Sequence, residues 1–505
     1  MPRDVSFLRR NALGWSVYAL VFLMAVAAAM QARANSTVLH YAWPLGLIAT
    51  WRYGWQLLHF ARAQWYRRVR FPAWRRAADE LTASGEGVVA RLGVVVTSYR
   101  ISAHENHEVY KRLFAETIEL GVPATIVASV TDDGDARLVH QIFREFGNTS
   151  KVGLVTRIQA GTGKRDAMVA ALRVLQSANE DRDGVVVLMD GDTVVTPGLF
   201  RRAFPFFRMM PDLGALTVNN AAEVRGPDVA RVWYAMRFAL RTLYMCSLSL
   251  SRRVLCLTGR FSVFRAEVAL DDAFVQRIGN DVLHHWRLGP VKMLTGDDKS
   301  TWFHCLKHRW AMIYLPDTYV ECLEELPPGG FMKASVQLMH RWFGNMLRNS
   351  DRSIALGPRR MGLFTWWCLV DQRLSIFTSL SGPVFVGLLL LHGEMAVVPT
   401  ALAAIMATRF VQTLNIAWHG GRFSPFVPLL LLHQQYLGAV LKLHIQFHLD
   451  RQKWTRQNIS TGGGSALARV NAVYAGAFKL ISIVMLLSVI SLLASMTLSG
   501  TDVRP

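Results

Sequence analysis

The sequence predicts an α/β protein whose mostly parallel sheet lies between two groups of transmembrane helices along the chain. Three observations support this prediction. Short apolar runs alternate with helical stretches in the middle of the chain, long uncharged runs lie near both ends, and a pair of acids follows one predicted strand. The chain has 505 residues, of which 51% are hydrophobic, and the apolar residues concentrate at its two ends.

Two uncharged runs open the chain, at residues 14–30 and 35–51. Each nearly reaches the roughly 20 residues that a helix needs to cross a bilayer. A cleaved signal peptide would leave the second run unexplained, so a pair of anchors is the better interpretation. Arginines precede the first run and follow the second, which places both flanks in the cytoplasm. We therefore predict two transmembrane helices and a basic juxtamembrane segment over residues 1–76.

A cytosolic domain is predicted over residues 77–355, because a two-helix hairpin returns the chain to its starting side. Predicted strands and helices alternate along it, which is the order of a mostly parallel sheet covered on both faces. Ligands bind such sheets beyond the carboxyl ends of the strands. The strands are predicted at residues 92–98, 123–130, 152–156 and 185–189, with helices within 108–120 and 165–178.

Residues 356–505 are predicted to return to the membrane, with crossings at 374–393, 396–421 and 480–498. The apolar stretch 423–449 also carries histidines, glutamines and a lysine, and it leads into the basic segment 450–457. If this stretch crossed, the basic segment would face outward, against the charge rule, so an interfacial helix is favoured. The prediction is five crossings, about three of them in this region, with six as the alternative.

Charge and cysteine usage narrow the class of protein. The formal net charge of +20 is compatible with nucleic acid, an anionic membrane surface or an acidic substrate, but a soluble nucleic-acid binder would not need the anchors. Arg409 stands near the middle of an apolar run, where a charge costs at least about 2.5 kcal/mol, and a path for an anion would give it a partner. The five cysteines form no C-x-x-C pair, so neither a disulfide framework nor a zinc site is predicted.

The triplet Asp190-Gly191-Asp192 ends the apolar run 184–189. Two carboxylates one residue apart, after a buried strand, suit a divalent cation held against a diphosphate, with Mg²⁺ or Mn²⁺ as the preferred ions. For the triplet alone, a hairpin turn is an equal alternative.

Three other features of the sequence favour the metal and diphosphate site over the hairpin turn. Gly163 and Lys164 belong to a glycine-containing loop that fails both the Walker and the dinucleotide-binding patterns but can approach a phosphate. Asp297 and Asp298 are adjacent acids, and such a pair can raise one pKa, as a general base requires, although a helix cap would explain one of them. The dipeptide 341–342 offers a guanidinium for phosphate and a flat ring for a sugar, or simply an interfacial helix.

The ordered set of Asp133, the Asp190–Asp192 triplet, the Asp297–Asp298 pair and the Arg-Trp dipeptide at 341–342 resembles the processive, membrane-integrated family 2 glycosyltransferases. Segments 161–166, 190–194, 258–265, 294–300 and 450–457 further resemble the mannuronan synthases, the glycosyltransferase subunits of bacterial alginate biosynthesis. The resemblance implies a GT-A domain, GDP-mannuronate as donor, a β-1,4-linked polymannuronate exopolysaccharide as product, Mg²⁺ or Mn²⁺ as cofactor, and a multi-pass protein of the cell inner membrane. Its implied partners are a separate cyclic di-GMP-binding subunit and periplasmic export proteins.

The same resemblance implies roles for individual residues. The broader family has Gln-x-x-Arg-Trp, but Leu338 stands at the glutamine position, so only the last two residues are carried over. The implied roles are Asp298 with Asp297 for catalysis; Thr97, Tyr99, Asp133, Lys164, Asp190 and Arg341 for the donor; Asp192 and Asp190 for the metal; Gly259, Arg260 and Trp342 for the acceptor; Trp454, Thr455 and Arg456 for gating; and, from its charge, Arg409 for the channel.

Three alternatives remain open from the sequence. A family 2 synthase that uses a UDP-sugar is nearest. A lipid-linked sugar transferase that makes single additions would typically lack the Arg-Trp and gating-type segments. A non-catalytic polyanion channel or scaffold would not need its acids.

Overall fold

The computed structural model describes residues 5–32, 37–147, 149–159, 163–178, 182–391, 393–454, 459–461, 470, 473–485 and 487–488. The helices are α1 (Val5–Ala32), α2 (Thr37–Trp65), α3 (Phe71–Ala83), α4 (Ala103–Leu120), α5 (Asp133–Glu145), α6 (Lys164–Ala178), α7 (Leu199–Ala203), α8 (Pro205–Met209), α9 (Asp228–Ser249), α10 (Ala266–Ala269), α11 (Asp272–Gly279), α12 (Asp297–Lys307), α13 (Gly330–Ile354), α14 (Pro358–Met361), α15 (Leu363–Leu391), α16 (Val397–Trp418), α17 (Phe426–Leu432) and α18 (Gly438–Gln446). Two π-helical segments, Tyr66–Arg70 and His433–Leu437, join α2 to α3 and α17 to α18.

The strands form one large sheet and two small ones. They are β1 (Leu92–Thr97), β2 (Ala124–Val130), β3 (Val152–Ile158), β4 (Val185–Asp190), β5 (Thr193–Val195), β6 (Leu213–Arg225), β7 (Phe261–Arg265), β8 (Val282–His285), β9 (Gly289–Lys292), β10 (Ala311–Glu325), β11 (Gln452–Trp454) and β12 (Ile459–Thr461). The eight-stranded sheet has the order β3-β2-β1-β4-β7-β6-β10-β5. Two-stranded hairpins pair β8 with β9 and β11 with β12.

The large sheet is mostly parallel, as predicted. Strands β3, β2, β1 and β4 pair in parallel, and so do β6 and β10, whereas β7 runs antiparallel to β4 and β6. The first four strands confirm the four sequence predictions to within about two residues at each end. Because helices cover both faces, these strands read as continuous valine-rich runs and not as alternating ones.

Local sequence signals explain the boundaries of the helices that cover the sheet. Helix α4 begins with a capping box, in which Ser102 accepts from the Glu105 amide and Glu105 accepts from the Ser102 amide, and it ends at Gly121 in the left-handed region. Helix α5 is capped by Asp132. The buried side chains of both helices pack on the core that β1, β2 and β4 build.

Four helices among the described residues are long and apolar enough to cross a membrane: Asn11–Gln31, Leu363–Leu391, Val397–Trp418 and Phe426–Gln446. The helices Asn11–Gln31, Leu363–Leu391 and Val397–Trp418 agree with the crossings predicted at 14–30, 374–393 and 396–421. The predicted second crossing falls in α2, which does not meet the same hydropathy criterion. The predicted crossing at 480–498 lies largely outside the described residues. The shorter apolar helix Val473–Met485, which is described, overlaps only its first residues.

The stretch 423–449 was predicted to be an interfacial helix. It forms α17, the π-helical segment and α18, which together reach a length and hydropathy that permit a crossing. Length and composition do not decide between the two placements, so five crossings against six stays a prediction.

Candidate active site

The carboxyl ends of β1, β2 and β4 bring the first predicted site residues to one edge of the sheet. Thr97 ends β1 and pairs in register with Asp190, which ends β4. Asp133 begins α5, just beyond β2, and its side chain is exposed. Tyr99 follows β1, and its ring lies 5.4 Å from the Arg100 guanidinium carbon. The sheet therefore places all four residues on the side where α/β proteins bind ligands.

A tight turn fixes the Asp190–Asp192 triplet at this edge. The Gly191 amide donates to the Thr97 carbonyl at 2.9 Å, and the Asp190 amide donates to the Arg260 carbonyl at 3.1 Å. A Cβ on Gly191 would lie 2.2 Å from the Ser98 hydroxyl oxygen and 2.8 Å from its Cα, so only glycine fits. The turn is thus packed tightly against β1.

The second pair of acids opens helix α12. Gly296 precedes the pair with φ +83°, a left-handed conformation that favours glycine, and its carbonyl accepts from the amides of Lys299 and Ser300. Asp297 and Asp298 are the first two helical residues, where the helix dipole favours negative charge. The helix-cap alternative stays open, because backbone amides of the first turn donate to both carboxylates, although the N-cap residue itself is Gly296.

Lys164 joins the two groups of acids. Its Nζ lies 2.7 Å from Asp190 Oδ1 and 2.7 Å from Asp297 Oδ2. These residues come from the start of α6, the end of β4 and the start of α12, so the contact spans 133 positions of sequence. Asp298 lines the same pocket, together with Thr97 and Gly259. The structure thus brings Asp190 and Asp297, which lie far apart in the sequence, to one place, and their roles stay predictions.

The pKa values of the three acids in the pocket shift in opposite directions. Burial raises the pKa of Asp190, and burial together with the charge of Asp297 raises the pKa of Asp298. Burial alone would also raise the pKa of Asp297, but Lys164 and Arg165 outweigh it and leave that pKa lowered. Burial would lower the pKa of Lys164, yet its two carboxylate partners outweigh burial and raise it. Asp298 is therefore the better proton acceptor of the adjacent pair, and Asp297 the better fixed anion.

Gly259 and Arg260 approach the same centre from the loop before β7. A Cβ on Gly259 would lie 3.1 Å from Lys164 Nζ and 3.7 Å from an oxygen of each bridged acid. Arg260 forms an ion pair with Glu324 of β10. Sequence reasoning missed Glu324. Arg260 is thus placed beside the acids, with its charge already balanced by a carboxylate.

Arg341 and Trp342 lie on α13, beside residues of α9 that the sequence analysis did not select. The Trp342 ring stacks on Trp233 with 5.7 Å between centroids, and the Arg237 guanidinium carbon lies 3.9 Å from the Trp342 centroid. Tyr234 is buried, which raises its pKa, and the charges of Arg260, Arg237 and Arg341 oppose that rise. The i, i+4 spacing of Trp233 and Arg237 on one amphipathic helix was the signal that could have revealed them.

Three predicted gating residues are only partly visible. Trp454 ends β11, and only its backbone is described, whereas Thr455 and Arg456 lie outside the described residues. The loop before Lys164 is likewise described only from Gly163 onward.

Arg409 is buried in α16, with 6% exposure. Its guanidinium donates to the side-chain oxygens of Gln412 and Gln435, and Gln412 donates in turn to Gln56 of α2 at 2.6 Å. Two other arginines are paired with carboxylates: Arg260 forms an ion pair with Glu324, and Arg373 forms one with Asp351. The partners described for Arg409 are neutral amides.

A divalent cation is compatible with the donor set at the turn. No group of three or more His, Cys, Asp or Glu side chains suited to a metal occurs in the described part of the chain, and the turn itself offers the carboxylates of Asp190 and Asp192. Such a site suits Mg²⁺ or Mn²⁺, which accept oxygen ligands and retain positions for phosphate and water. Lys164 lies 2.7 Å from Asp190 Oδ1, so a cation already adjoins one of the two carboxylates. The buried Thr97 hydroxyl beside Asp190 has no hydrogen-bond partner among the described residues, as expected where a ligand completes the site.

Comparisons with known proteins agree with this architecture. A sequence profile described as "Glycosyltransferase like family 2" matches residues 90–345, the span that holds β1 to the Arg-Trp dipeptide. Two curated relatives, both named Glycosyltransferase alg8, are from Pseudomonas syringae pv. tomato and Azotobacter vinelandii. They are 37% and 38% identical to this chain, and each alignment covers 89% of this chain and 90% of the relative.

Among solved structures, a mannosyltransferase from Pyrobaculum calidifontis, in complex with GDP-Man and Mn²⁺, is 15% identical, with a TM-score of 0.41 and coverage of 90% of this chain and 98% of that one. The chain is a membrane-associated glycosyltransferase with a GT-A fold, and it belongs to glycosyltransferase family 2 and, within that family, to the glycosyltransferases of alginate biosynthesis.

Proposed function

We propose that the chain is a processive, inverting glycosyltransferase that polymerises mannuronate from GDP-mannuronate into β-1,4-polymannuronate and passes the polymer through its own membrane helices. The observation that carries the proposal is the contact of Lys164 with Asp190 and Asp297 at the carboxyl edge of the sheet. Lys164 thus holds a positive charge at the edge of the sheet where α/β proteins bind ligands, and lysine is a common partner of phosphate. The likeness to the alginate-synthesis relatives supports the choice of mannuronate as the sugar and of GDP as the nucleotide.

The proposed reaction is a single displacement. The terminal hydroxyl oxygen of the acceptor attacks the anomeric carbon of the donor while the bond to the diphosphate oxygen breaks, and the bonding electron pair leaves with GDP. Asp298 accepts the hydroxyl proton, and its raised pKa favours that role over Asp297. One base suffices, because inversion needs no covalent intermediate.

Charge neutralisation at the leaving group is assigned to Lys164 and Arg341. Lys164 would exchange its bond with Asp190 for one with the diphosphate, so that its position between the acids is a resting position. A bound Mg²⁺ or Mn²⁺ on Asp192 and Asp190 would supply further neutralisation of the developing charge. Thr97, Tyr99 and Asp133 would hold the nucleoside and ribose of the donor along the strand ends.

The acceptor is assigned to the other side of the acids. Gly259 and Arg260 adjoin Lys164 and Glu324, and Trp342 of α13 lies next to Arg237. We propose that the terminal sugar binds between these two groups, with Trp342 as a stacking surface once the polymer competes with Arg237 for it. Trp454, Thr455 and Arg456 are proposed to form the segment that closes over bound donor.

Arg409 is proposed to line the exit path. A cation buried in an apolar helix with amide partners can exchange those partners for the carboxylates of a passing polyanion, because each added sugar carries one negative charge. Replacing Arg409 with Leu is therefore expected to reduce exported polymer by at least about tenfold while GDP release falls by less than about threefold. Unchanged polymer export from a stably inserted variant would contradict this role.

The proposed setting is the bacterial inner membrane, with the catalytic region in the cytoplasm. We propose the division into residues 1–76, 77–355 and 356–505, with the positive flanks of the first helices as the topological argument. A separate cyclic di-GMP-binding subunit and periplasmic export proteins are proposed as partners, by likeness to alginate synthesis.

Donor choice is the direct test of the proposal. Membranes containing the chain are incubated with GDP-mannuronate, and in parallel with UDP-sugars, and released nucleotide is measured. Release of GDP that depends on both the chain and GDP-mannuronate is expected. Release of UDP alone would replace this proposal with another exopolysaccharide synthase of the same family.

A further inference from the structure

Arg237 of α9 contacts both the helix that carries the Arg-Trp dipeptide and the apolar stretch 423–449. Its guanidinium carbon lies 3.9 Å from the Trp342 ring centroid and 5.2 Å from the Trp233 centroid. Its Nη1 donates to the Gln434 side-chain oxygen at 3.4 Å. Among the described residues, no carboxylate forms an ion pair with Arg237, and the group that raises its pKa is the Tyr234 phenol. The cation is thus surrounded by aromatic rings and a neutral amide.

Stacking leaves the hydrogen-bonding edge of this guanidinium available. An arginine carries its N–H donors in the plane of the guanidinium, whereas a ring contacts the face. The bond to Gln434 uses one donor and is long for a hydrogen bond. Arg237 is half-buried, and none of its nitrogens is both enclosed and unpaired, so the remaining donors open onto accessible space. A fork that rings hold in place with its donors open suits a planar carboxylate.

Neighbouring arginines differ from Arg237, because protein acceptors already engage them. Arg260 forms an ion pair with Glu324. Arg241, one turn later on α9, donates to the Val218 carbonyl at 3.1 Å. Of these three arginines, Arg237 therefore has the weakest protein partner and the most donors left for a ligand.

The charge of Arg237 is withdrawn from water without a compensating anion. Burial lowers its pKa to about 10, and the Tyr234 phenol opposes that shift. The guanidinium is still charged near neutral pH, because the lowered pKa stays well above that range. A buried charge without a partner costs free energy that a bound anion would offset. Geometry and charge therefore favour the same class of ligand, a carboxylate.

Adjacent glutamines join Arg237 to the cation that is assigned above to the exit path. Gln434 accepts from Arg237, and Gln435 accepts from Arg409. Both glutamines belong to the π-helical segment His433–Leu437, a rare geometry that is frequent at functional sites. The two cations thus share one short segment of chain, with neutral amides as their partners.

We propose that Arg237 binds the carboxylate of the terminal uronate of the acceptor while Trp342 stacks on the sugar ring, so that the site selects an acidic acceptor over a neutral one. This inference rests on the proposed function and deepens it, because it names a residue that recognises the acid group. The sugar displaces the guanidinium from the ring, and the carboxylate takes the open donors in exchange for the long bond to Gln434. A neutral sugar of the same linkage would stack and leave the charge unpaired.

Two oligosaccharides that differ only in the acid group test the inference. They are β-1,4-linked tetramannuronate and β-1,4-linked mannotetraose, and calorimetry measures the affinity of each for the full-length chain in nanodiscs of zwitterionic lipid, without donor. Arg237→Gln removes the charge and keeps a polar side chain, and Arg237→Met removes the charge with an apolar one, so the result does not depend on a single variant. Arg231→Gln, at an exposed position of the same helix, makes the same charge change and is the matched control.

Wild type is expected to bind tetramannuronate at least about tenfold more tightly than mannotetraose, as a hydrogen bond to a charged group allows. Both Arg237 variants are expected to lose about tenfold or more in affinity for tetramannuronate and to keep their affinity for mannotetraose within about twofold. The unchanged affinity for mannotetraose also shows that the variants are folded. The control is expected to stay within about twofold of wild type for both probes, because an exposed ion pair contributes little.

Equal binding of the two oligosaccharides by wild type would overturn the inference, and so would an Arg237→Gln protein that keeps its affinity for tetramannuronate. An equal loss of both probes in the Arg237 variants would overturn it as well and assign the residue to holding the Trp342 ring. A loss that Arg231→Gln shares would overturn it in favour of the overall positive charge of the chain.

The binding measurements use no donor, so they fail separately from the proposed function. If wild type releases no GDP from GDP-mannuronate while the selection by Arg237 persists, the donor assignment fails and the carboxylate site stands. If GDP is released and the selection is absent, the proposed function stands and the role of Arg237 is overturned.

Discussion

Replacing Lys164 with Met probes the centre of the site most sharply. The methionine side chain is close to lysine in length and apolar volume, so the change removes chiefly one charge. The wild-type ammonium lies 2.7 Å from Asp190 Oδ1 and 2.7 Å from Asp297 Oδ2, and the side chains of Lys164 and Asp297 are mostly buried. The variant leaves Asp190 and Asp297 without their shared cation, in a pocket that Asp298 also lines.

The size of the effect follows from these distances. At an effective dielectric constant of about 20, a charge pair at this separation attracts by about 6 kcal/mol before desolvation is subtracted. Measured losses on removing one partner of a buried pair are about 3–5 kcal/mol, and we expect the free energy of unfolding of this domain to fall by an amount in that range. Turnover is expected to fall by about 10²- to 10³-fold, as when one preorganised electrostatic group is lost.

The pH dependence distinguishes this explanation from a simple packing defect. In wild type the lowered pKa of Asp297 means that its stabilisation is present above the unfolded-state pKa of about 3.9 and is lost as the pH falls through the lower folded-state value. In the variant, acids whose pKa values are raised take up protons as the pH falls and relieve their repulsion. The stability gap between the two proteins is therefore widest near neutral pH and narrows toward pH 4.

Thermal unfolding of the detergent-solubilised proteins across that pH range measures the gap. Lys111→Met, at an exposed position on α4, is the matched control and is expected to leave the midpoint unchanged. A gap that is absent, or that is constant between pH 8 and pH 4, would refute the assignment of Lys164 as the cation shared by the two acids.

Three further changes have defined outcomes. Asp298→Asn is expected to lower turnover by about 10²- to 10⁴-fold while GDP affinity is kept; loss of both together would argue against a base role. Asp281→Asn leaves Arg352 without its bidentate carboxylate, at present 2.6 and 2.8 Å away, so unfolding free energy should fall by about 3–5 kcal/mol, and an unchanged midpoint would contradict it. Chelation of divalent cations should abolish GDP release, with recovery on adding Mg²⁺ or Mn²⁺; full activity in chelator would remove the metal from the account.

The parallel half of the sheet could be predicted from sequence because β1, β2 and β4 are buried on both faces and only the edge strand β3 is partly exposed. Continuous runs of β-branched residues between helix-forming stretches leave few other arrangements, and β1 to β4 match the predicted positions. The number of membrane crossings, in contrast, could not be predicted from the sequence. The segment with His433 and Lys442 is apolar enough to cross and polar enough to lie at the interface, and hydropathy alone cannot separate the two.

The acids of the site could be predicted because strand ends meet at one edge of a parallel sheet. The partners that tune them could not. Glu324 and Arg237 are ordinary charged residues in sequence, and they reach the site only because β10 and α9 pack beside it. Gln452 lies in the segment 450–457 that carries the family resemblance, but its contacts with backbone atoms about 160 residues earlier could not be predicted from that segment. Such tertiary contacts carry no local signal.

The most direct test of the central claim is polymer synthesis from a defined donor. Membranes containing wild-type protein or Asp298→Asn are incubated with labelled GDP-mannuronate, and the product is digested with a lyase specific for mannuronate. Wild type is expected to yield a labelled polymer that the lyase degrades completely, and the variant is expected to yield none. A lyase-resistant product, or equal polymer from both proteins, would contradict the account.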